Sequence, residues 1–165
     1  MRRYAQDTEV AIERSRDQIT KLLREWNTEG IGWLDDFAHD RVLLQFVIPR
    51  LVPGKTEAVA YKAQFAIQLE PDADIRKAAT GARGFSDVRY QDLLNRRGRR
   101  QHRVLFIWIK AALEAVTEGV VPFEAIFLPF FVREDGTTVA DAALPHLAKM
   151  LGAPINRMLT DGRRA

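Results

Sequence analysis

The sequence predicts an α+β fold, a single domain in which a long central helix and helices near both ends pack against an antiparallel sheet. Residues 41–49 and 61–70 carry apolar side chains at every second position, which is the period of a β-strand. Residues 104–116 instead repeat apolar side chains at the spacing of an α-helix. With 165 residues the chain has the length of one domain, so these elements are expected to share one core.

The N-terminal part of the chain is predicted to contain a strand followed by a helix. Residues 8–13 alternate apolar with polar side chains, which indicates a short half-buried strand. Ser15 and Gln18 then match a capping box at the start of a helix. Apolar residues at helical spacing follow, so we expect an amphipathic helix over 16–27 that ends before Gly30.

Three strands are predicted for the middle of the chain. Residues 32–34 and 41–49 are expected to form a hairpin, and residues 61–70 form a third antiparallel strand with one solvated face. Residues 71–85 have no apolar period and contain several turn-forming residues, so they are predicted to be a loop or insertion. The tail at about 160–165 is predicted to be flexible.

The central helix has two predicted starts. Ser86 provides a cap for a helix that begins at Asp87. That helix either continues across Gly98 or ends there, in which case a new helix starts near Gly98. Both alternatives include the apolar residues 104–116 and end at Gly119, and the sequence leaves the choice open.

The C-terminal region combines a hairpin turn with a last helix. Residues 123–132 are expected to form a helical turn or a strand. The dipeptide Asp135-Gly136 is typical of a tight hairpin turn. The apolar spacing after it predicts a helix over 140–151, or a shorter helix that begins near Pro145.

The composition is that of a water-soluble globular protein. The chain contains no cysteine, which excludes disulfides, thiolate metal sites and cysteine nucleophiles. No apolar run reaches the length of a membrane span, and the first residues lack the apolar segment of a signal peptide. We therefore expect a cytoplasmic protein without membrane association.

An arginine cluster is the main indication of function. Five arginines fall within residues 96–103, although the formal net charge of the chain is only +3. If a helix starts near Gly98, these cations oppose its dipole, and a bound phosphate would reverse that penalty. A solvated helix face and an acidic protein surface are the alternatives. The candidate nucleic-acid-binding residues are Arg89, Arg96, Arg97, Arg99, Arg100 and Arg103.

Aromatic residues beside a basic groove would support binding of single strands, because bases stack on them. Trp33, Tyr61 and Tyr90 are the candidates for such stacking. Aromatic residues on alternating strands usually face the core instead. The sequence contains no motif for reading base pairs, so it leaves DNA or RNA and single or double strands undecided.

The sequence does not favour an enzyme. The cluster Asp35, Asp36, His39 and Asp40 contains metal-binding side chains, but it falls at a predicted hairpin turn, where aspartates form local hydrogen bonds. Phosphate-loop, dinucleotide-binding and hydrolase signatures are absent. We therefore predict no metal site, no cofactor and no catalytic residues.

Three patterns resemble a family of small uncharacterised proteins encoded in bacteriophages and prophages. They are the S-R-D-Q helix start at Ser15, the I-K-A-A-L-E-A-V helix core that ends at Gly119, and the spacing from Phe123 to Val139. The resemblance covers most of the chain and implies a phage setting, with the host cytoplasm as location. It implies a shared fold but no functional residues.

These observations predict a non-catalytic phage-type accessory protein that binds nucleic acid, or a nucleic-acid-processing complex, through its arginine cluster. A protein–protein adaptor or inhibitor that binds a host or phage protein is the first alternative. A virion or scaffold component is the second. Whether the chain forms a homo-oligomer is open in the sequence.

Overall fold

The computed structural model describes residues 9–51, 54 and 56–147, and it confirms the predicted α+β architecture. Three antiparallel strands pair in chain order, and a second, two-stranded sheet follows. The strands are β1 (Gly30–Asp36), β2 (Arg41–Leu51), β3 (Ala58–Gln68), β4 (Thr80–Gly81) and β5 (Gly84–Phe85). The helices are α1 (Ile12–Glu25), α2 (Asp72–Ala79), α3 (Asp87–Arg96), α4 (Arg99–Thr117), α5 (Phe123–Phe127) and α6 (Val139–Ala143).

The core lies between one face of the three-stranded sheet and the helices α1 and α4. Leu44 at the centre of β2 is fully buried and lies opposite Trp33 and Phe65 on the flanking strands. Ile19 of α1 and Ile109 of α4 are also fully buried in this core. The inward-facing side chains of β2 and the apolar stripe of α4 therefore belong to the same core, as their two periods predict.

The predicted N-terminal strand and the predicted capping box of the first helix are both wrong. α1 already begins at Ile12, with Ala11 at its N-cap position, and residue 8 lies outside the described residues. Ser15 lies inside the helix and is fully buried, and its hydroxyl has no hydrogen-bond partner within the described residues. It belongs to the same helical face as Ile19 and Leu23, and this four-residue repeat prevails over the two-residue alternation before it.

The prediction of a loop over residues 71–85 is also wrong. The segment forms α2 and then the short β4–β5 hairpin. Asp72 and Asp74 lie in the first turn of α2, where carboxylates stabilise the helix dipole, and basic residues occupy its last turn. Ile75 and Ala79 are buried one turn apart, and α2 packs against α3. The predicted tail at 160–165 lies outside the described residues.

The hairpins were predicted more closely. β1 and β2 pair as expected through a 3₁₀ turn at Phe37–His39. Gly136 adopts a left-handed φ of 83° in the turn that brings Val132 opposite Thr138. Val139 then starts α6, within one residue of the first of the two predicted starts. The α-helix ends at Ala143 and a 3₁₀ turn over Leu144–His146 follows it, while the predicted part beyond residue 147 lies outside the described residues.

Candidate functional site

The junction between α3 and α4 divides the arginine-rich stretch. α3 starts after Ser86, whose side chain caps it, and α4 starts at Arg99. Gly98 between them has a left-handed φ of 79°. A Cβ at this position would lie 2.6 Å from Cδ2 of Leu69. Glycine is therefore required here both for the left-handed φ and for the close packing of Leu69 against the backbone. The two helix starts that the sequence allowed therefore both exist, in two separate helices.

The arginines on the α3 side of the junction are largely occupied. Arg89 is exposed in the first turn of α3. Arg96 forms an exposed ion pair of 3.1 Å with Asp92, one turn earlier. Arg97 is nearly buried and donates a hydrogen bond to the carboxylate of Asp40, which lies 57 positions away in the chain. Arg97 therefore attaches the helix junction to the β1–β2 hairpin.

The arginines of α4 point to different surroundings. Arg103 donates a 2.8 Å hydrogen bond to the side chain of Gln18 on α1 and lies over the ring of Phe106. The Nε of Arg99 is buried and has no hydrogen-bond partner in the part of the chain that the structure describes. Arg100 forms no ion pair within the described residues. The six predicted residues are thus not gathered into one patch, and Arg99 and Arg100 share the uncapped start of α4.

The three predicted stacking residues are engaged within the fold. Trp33 stacks on His102 at 5.8 Å between ring centroids. Tyr61 stacks parallel on Phe131 at 4.5 Å. Tyr90 donates a 2.6 Å hydrogen bond to the Asp72 carboxylate, and this bond raises the pKa of the Tyr90 hydroxyl, with burial as the second cause. Each ring therefore has an intramolecular partner.

A cleft of about 280 Å³ lies at the end of the β1–β2 hairpin. We call it the paired cleft, because the acidic and basic side chains that line it form ion pairs. The charged residues of its lining are Asp35, Asp36, Asp40, Arg41, Asp72 and Arg97.

Carboxylates in the paired cleft bind arginine or histidine side chains. Asp36 accepts hydrogen bonds from His39 and Arg41, which hold the pKa of its carboxyl below its usual value. Arg16 donates a 2.7 Å hydrogen bond to Asp35. Among the described residues, no group of three or more histidines and carboxylates is arranged to hold a metal ion. Phe37, which also lines the cleft, is 86% exposed.

A buried histidine connects this region to the junction. His102 is fully buried, its Nε2 accepts a 3.2 Å hydrogen bond from Arg16, and its Nδ1 lies 2.8 Å from the carbonyl oxygen of Gly98. Because Arg16 can only donate, Nε2 must be unprotonated and Nδ1–H donates to Gly98. Burial, the main cause, lowers the pKa of His102, in agreement with the neutral imidazole that these two hydrogen bonds require.

An open groove of about 570 Å³ lies between β3 and the first three turns of α4. Its walls are mainly apolar and aromatic, and Arg100 lies at one end of it. We call this the aromatic groove; the lining residues that matter here are Phe65, Gln68, Arg100, Val104, Trp108 and Phe130.

Comparison with known proteins does not identify the chain. No family model, no curated protein and no solved structure matches it. The resemblance to phage-encoded proteins therefore stays a prediction. None of the helices in the described part of the chain combines the length and apolar character that a membrane span requires.

The aromatic groove contains residues that the sequence did not single out. Trp108 belongs to the apolar stripe of α4 and was expected in the core, yet it is 37% exposed. One feature of the sequence could have linked Trp108 to the arginine cluster: it lies two helical turns after Arg100 and therefore on the same side of α4. Phe130 carried no such signal, since its position follows from the path of the chain after α5.

Proposed function

We propose that the protein is a non-catalytic, phage-type accessory protein that binds nucleic acid, or a nucleic-acid-processing complex, through the arginines that open α4. The observation that carries this proposal is the composition of the first turn of α4. Arg99 and Arg100 lie there, the turn contains no acidic residue, and the N-cap Gly98 supplies no side-chain hydrogen bond. The phage setting is supported by the three sequence patterns alone.

A bound phosphate would turn this unfavourable arrangement into a favourable one. The first backbone N–H groups of a helix have no partner within the helix, and the helix dipole places positive charge at the same end. Two arginines add to that positive charge and are themselves disfavoured by about 0.3–1 kcal/mol each. A phosphate would accept hydrogen bonds from the backbone and from guanidinium groups at once.

The test is equilibrium binding of labelled single- and double-stranded DNA and RNA, measured by fluorescence anisotropy at several salt concentrations. We expect binding at low salt, with a slope of about −0.7 to −0.9 in log K against log salt for each phosphate contacted. The double variant Arg99→Gln/Arg100→Gln should lose affinity by at least about tenfold, because hydrogen bonds to charged groups contribute about 1.5–3 kcal/mol each.

A matched control removes two positive charges elsewhere. Arg76 and Arg133 are exposed and paired with Asp72 and Asp135, so the double variant Arg76→Gln/Arg133→Gln lowers the net charge equally. It should keep most of the affinity. No binding of any oligonucleotide at low salt, or equal losses in both double variants, would refute the proposed site.

A second candidate, a protein–protein adaptor or inhibitor, is favoured by the β1–β2 end of the sheet. Phe37 and Leu34 are strongly exposed there, and Phe37 lines the paired cleft together with its carboxylates. Exposed apolar patches with a polar rim are typical of protein-binding surfaces. This candidate would replace the first if oligonucleotides fail to bind at low salt.

A further inference from the structure

The aromatic groove has the chemistry of a site for one planar ligand with a negative charge. Arg100, Val104 and Trp108 follow one another at four-residue intervals along α4 and line the groove. They place a cation, an aliphatic side chain and an indole along one side of the helix, over roughly 12 Å between the outer Cα atoms. A ligand that meets all three therefore needs an anionic end and a flat apolar end.

The indole of Trp108 is available for stacking. Phe65, Phe127 and Phe130 surround it with centroid distances of 5.3 to 5.8 Å, and their planes are inclined to it by 60° to 76°. No ring in the described part of the chain lies parallel to the indole, and the Trp108 residue as a whole is 37% exposed. The neighbouring rings contact Trp108 in edge geometry, so offset stacking, which is one of the two favourable arrangements of aromatic pairs, is not already used by a ring of the described residues.

Polar groups at the rim fit an aromatic heterocycle better than an aliphatic chain. The Gln68 amide nitrogen donates to the carbonyl oxygens of His39 and Asp40, which fixes the amide and leaves its oxygen as an acceptor. Gln101, beside Arg100, is exposed and lines the same groove. Amides of this kind hydrogen-bond to the edges of bases, whereas a hydrocarbon tail would leave them without partners.

We propose that the aromatic groove binds an unpaired nucleobase, stacked on Trp108, while Arg100 binds the adjacent phosphate. This inference rests on the proposed function and gives it a specificity for single strands. A paired base inside a duplex is already stacked and cannot enter the groove, whereas a single strand can present its base. Stacking of this kind tolerates all four bases, so little sequence preference is expected.

The experiment compares three probes of equal length and charge per strand. They are a labelled single-stranded oligonucleotide, the same strand paired in a duplex, and an abasic strand that retains the phosphates. We expect the single strand to bind about tenfold more tightly than the abasic strand and the duplex. Trp108→Leu should reduce its affinity to the abasic level and leave abasic binding unchanged, while Trp108→Phe should retain part of the preference.

Two further variants keep the result interpretable. Val104 is 42% exposed, so Val104→Glu should fold normally and abolish the single-strand preference by placing a carboxylate in the groove. It serves in place of Trp108→Leu if the circular dichroism spectrum shows that Trp108→Leu is unfolded. Trp26→Leu is the matched control: Trp26 stacks on Phe123, away from the groove lining, and should keep the preference.

The possible outcomes separate the two proposals. If all three probes bind equally and Trp108→Leu changes nothing, the stacking site is refuted while the proposed function stands. If no probe binds at low salt, the proposed function fails with it. If a fatty acid such as decanoate binds in a Trp108-dependent manner and oligonucleotides show no preference, the groove is a site for aliphatic anions and the nucleobase is excluded.

Discussion

The paired cleft and the aromatic groove both contain an arginine from the same short stretch, yet the two arginines have opposite surroundings. Arg97 in the paired cleft is bound to Asp40 and is nearly buried. Arg100 in the aromatic groove has no carboxylate partner within the described residues and lies beside exposed apolar side chains. A cluster of charges in a sequence therefore indicates binding only where the fold has not already neutralised it.

Gly98 is the residue that separates the two regions, and its substitution is expected to have the largest effect on stability. Gly98→Ala places a side chain in left-handed backbone and within 2.6 Å of Leu69. We expect the free energy of unfolding to fall by about 2–3 kcal/mol in urea denaturation. Gly136→Ala is the control, because Gly136 has a similar φ of 83°, and among the described residues other than its two chain neighbours no atom lies within 4 Å of its added Cβ.

The control should lose only the cost of placing alanine in left-handed backbone, about 1 kcal/mol. The difference between the two variants then measures the close approach at the junction. Equal losses would mean that Leu69 moves aside without cost, and that the junction does not hold the two arginines apart.

Single replacements of the two arginines should affect different properties of the protein. Arg97→Gln removes the partner of Asp40, and we expect about 1–2 kcal/mol lower stability with oligonucleotide affinity unchanged within about twofold. Arg100→Gln should lower oligonucleotide affinity about tenfold and change stability by less than about 0.5 kcal/mol. Urea denaturation and anisotropy titration of both variants give the four values. A loss of affinity in Arg97→Gln would assign the paired cleft to the binding surface.

The sequence predicted those parts of the fold whose signals are local and periodic. The alternation in β2 and β3, the stripe in α4 and the Asp135-Gly136 turn all gave the correct element. Ser15 was misjudged because a serine followed three residues later by glutamine also occurs inside a helix. α2 was missed because an eight-residue helix with Ile75 and Ala79 as its buried residues contains too few apolar positions to show a period.

The candidate site was harder to predict because its decisive contacts are distant in the chain. Arg97 meets Asp40 across 57 positions, and Arg103 meets Gln18 across 85. No local pattern distinguishes an arginine with such a partner from one without. The exposure of Trp108 likewise depends on where β3 and Phe130 lie, so the helical stripe alone placed it in the core.

The smallest expected effect is the pH dependence of stability that His102 causes. It tests whether the folded protein requires a neutral imidazole at this position. Burial is the main cause that lowers the pKa of His102, and Arg16, which faces it as a hydrogen-bond donor, lowers it further, whereas Asp35 and Glu13 raise it. Burial and Arg16 both oppose protonation, because a second positive charge would lie beside the guanidinium and out of water. The hydrogen bond from Nδ1–H to the carbonyl of Gly98 acts the other way and raises the pKa, but by less than burial lowers it.

Because the pKa of His102 is lowered in the native state, the unfolded chain binds the proton more tightly. Stability should therefore be complete above the ordinary value of 6.5 and fall as the pH drops below it, by at most about 1.4 kcal/mol per pH unit. Urea denaturation between about pH 7.5 and 5.5 measures this slope above the range where aspartates titrate. His102→Gln, whose amide can still accept from Arg16, should flatten it, and His146→Gln, at an exposed position, should not. An unchanged slope in His102→Gln would show that the imidazole titrates equally in both states.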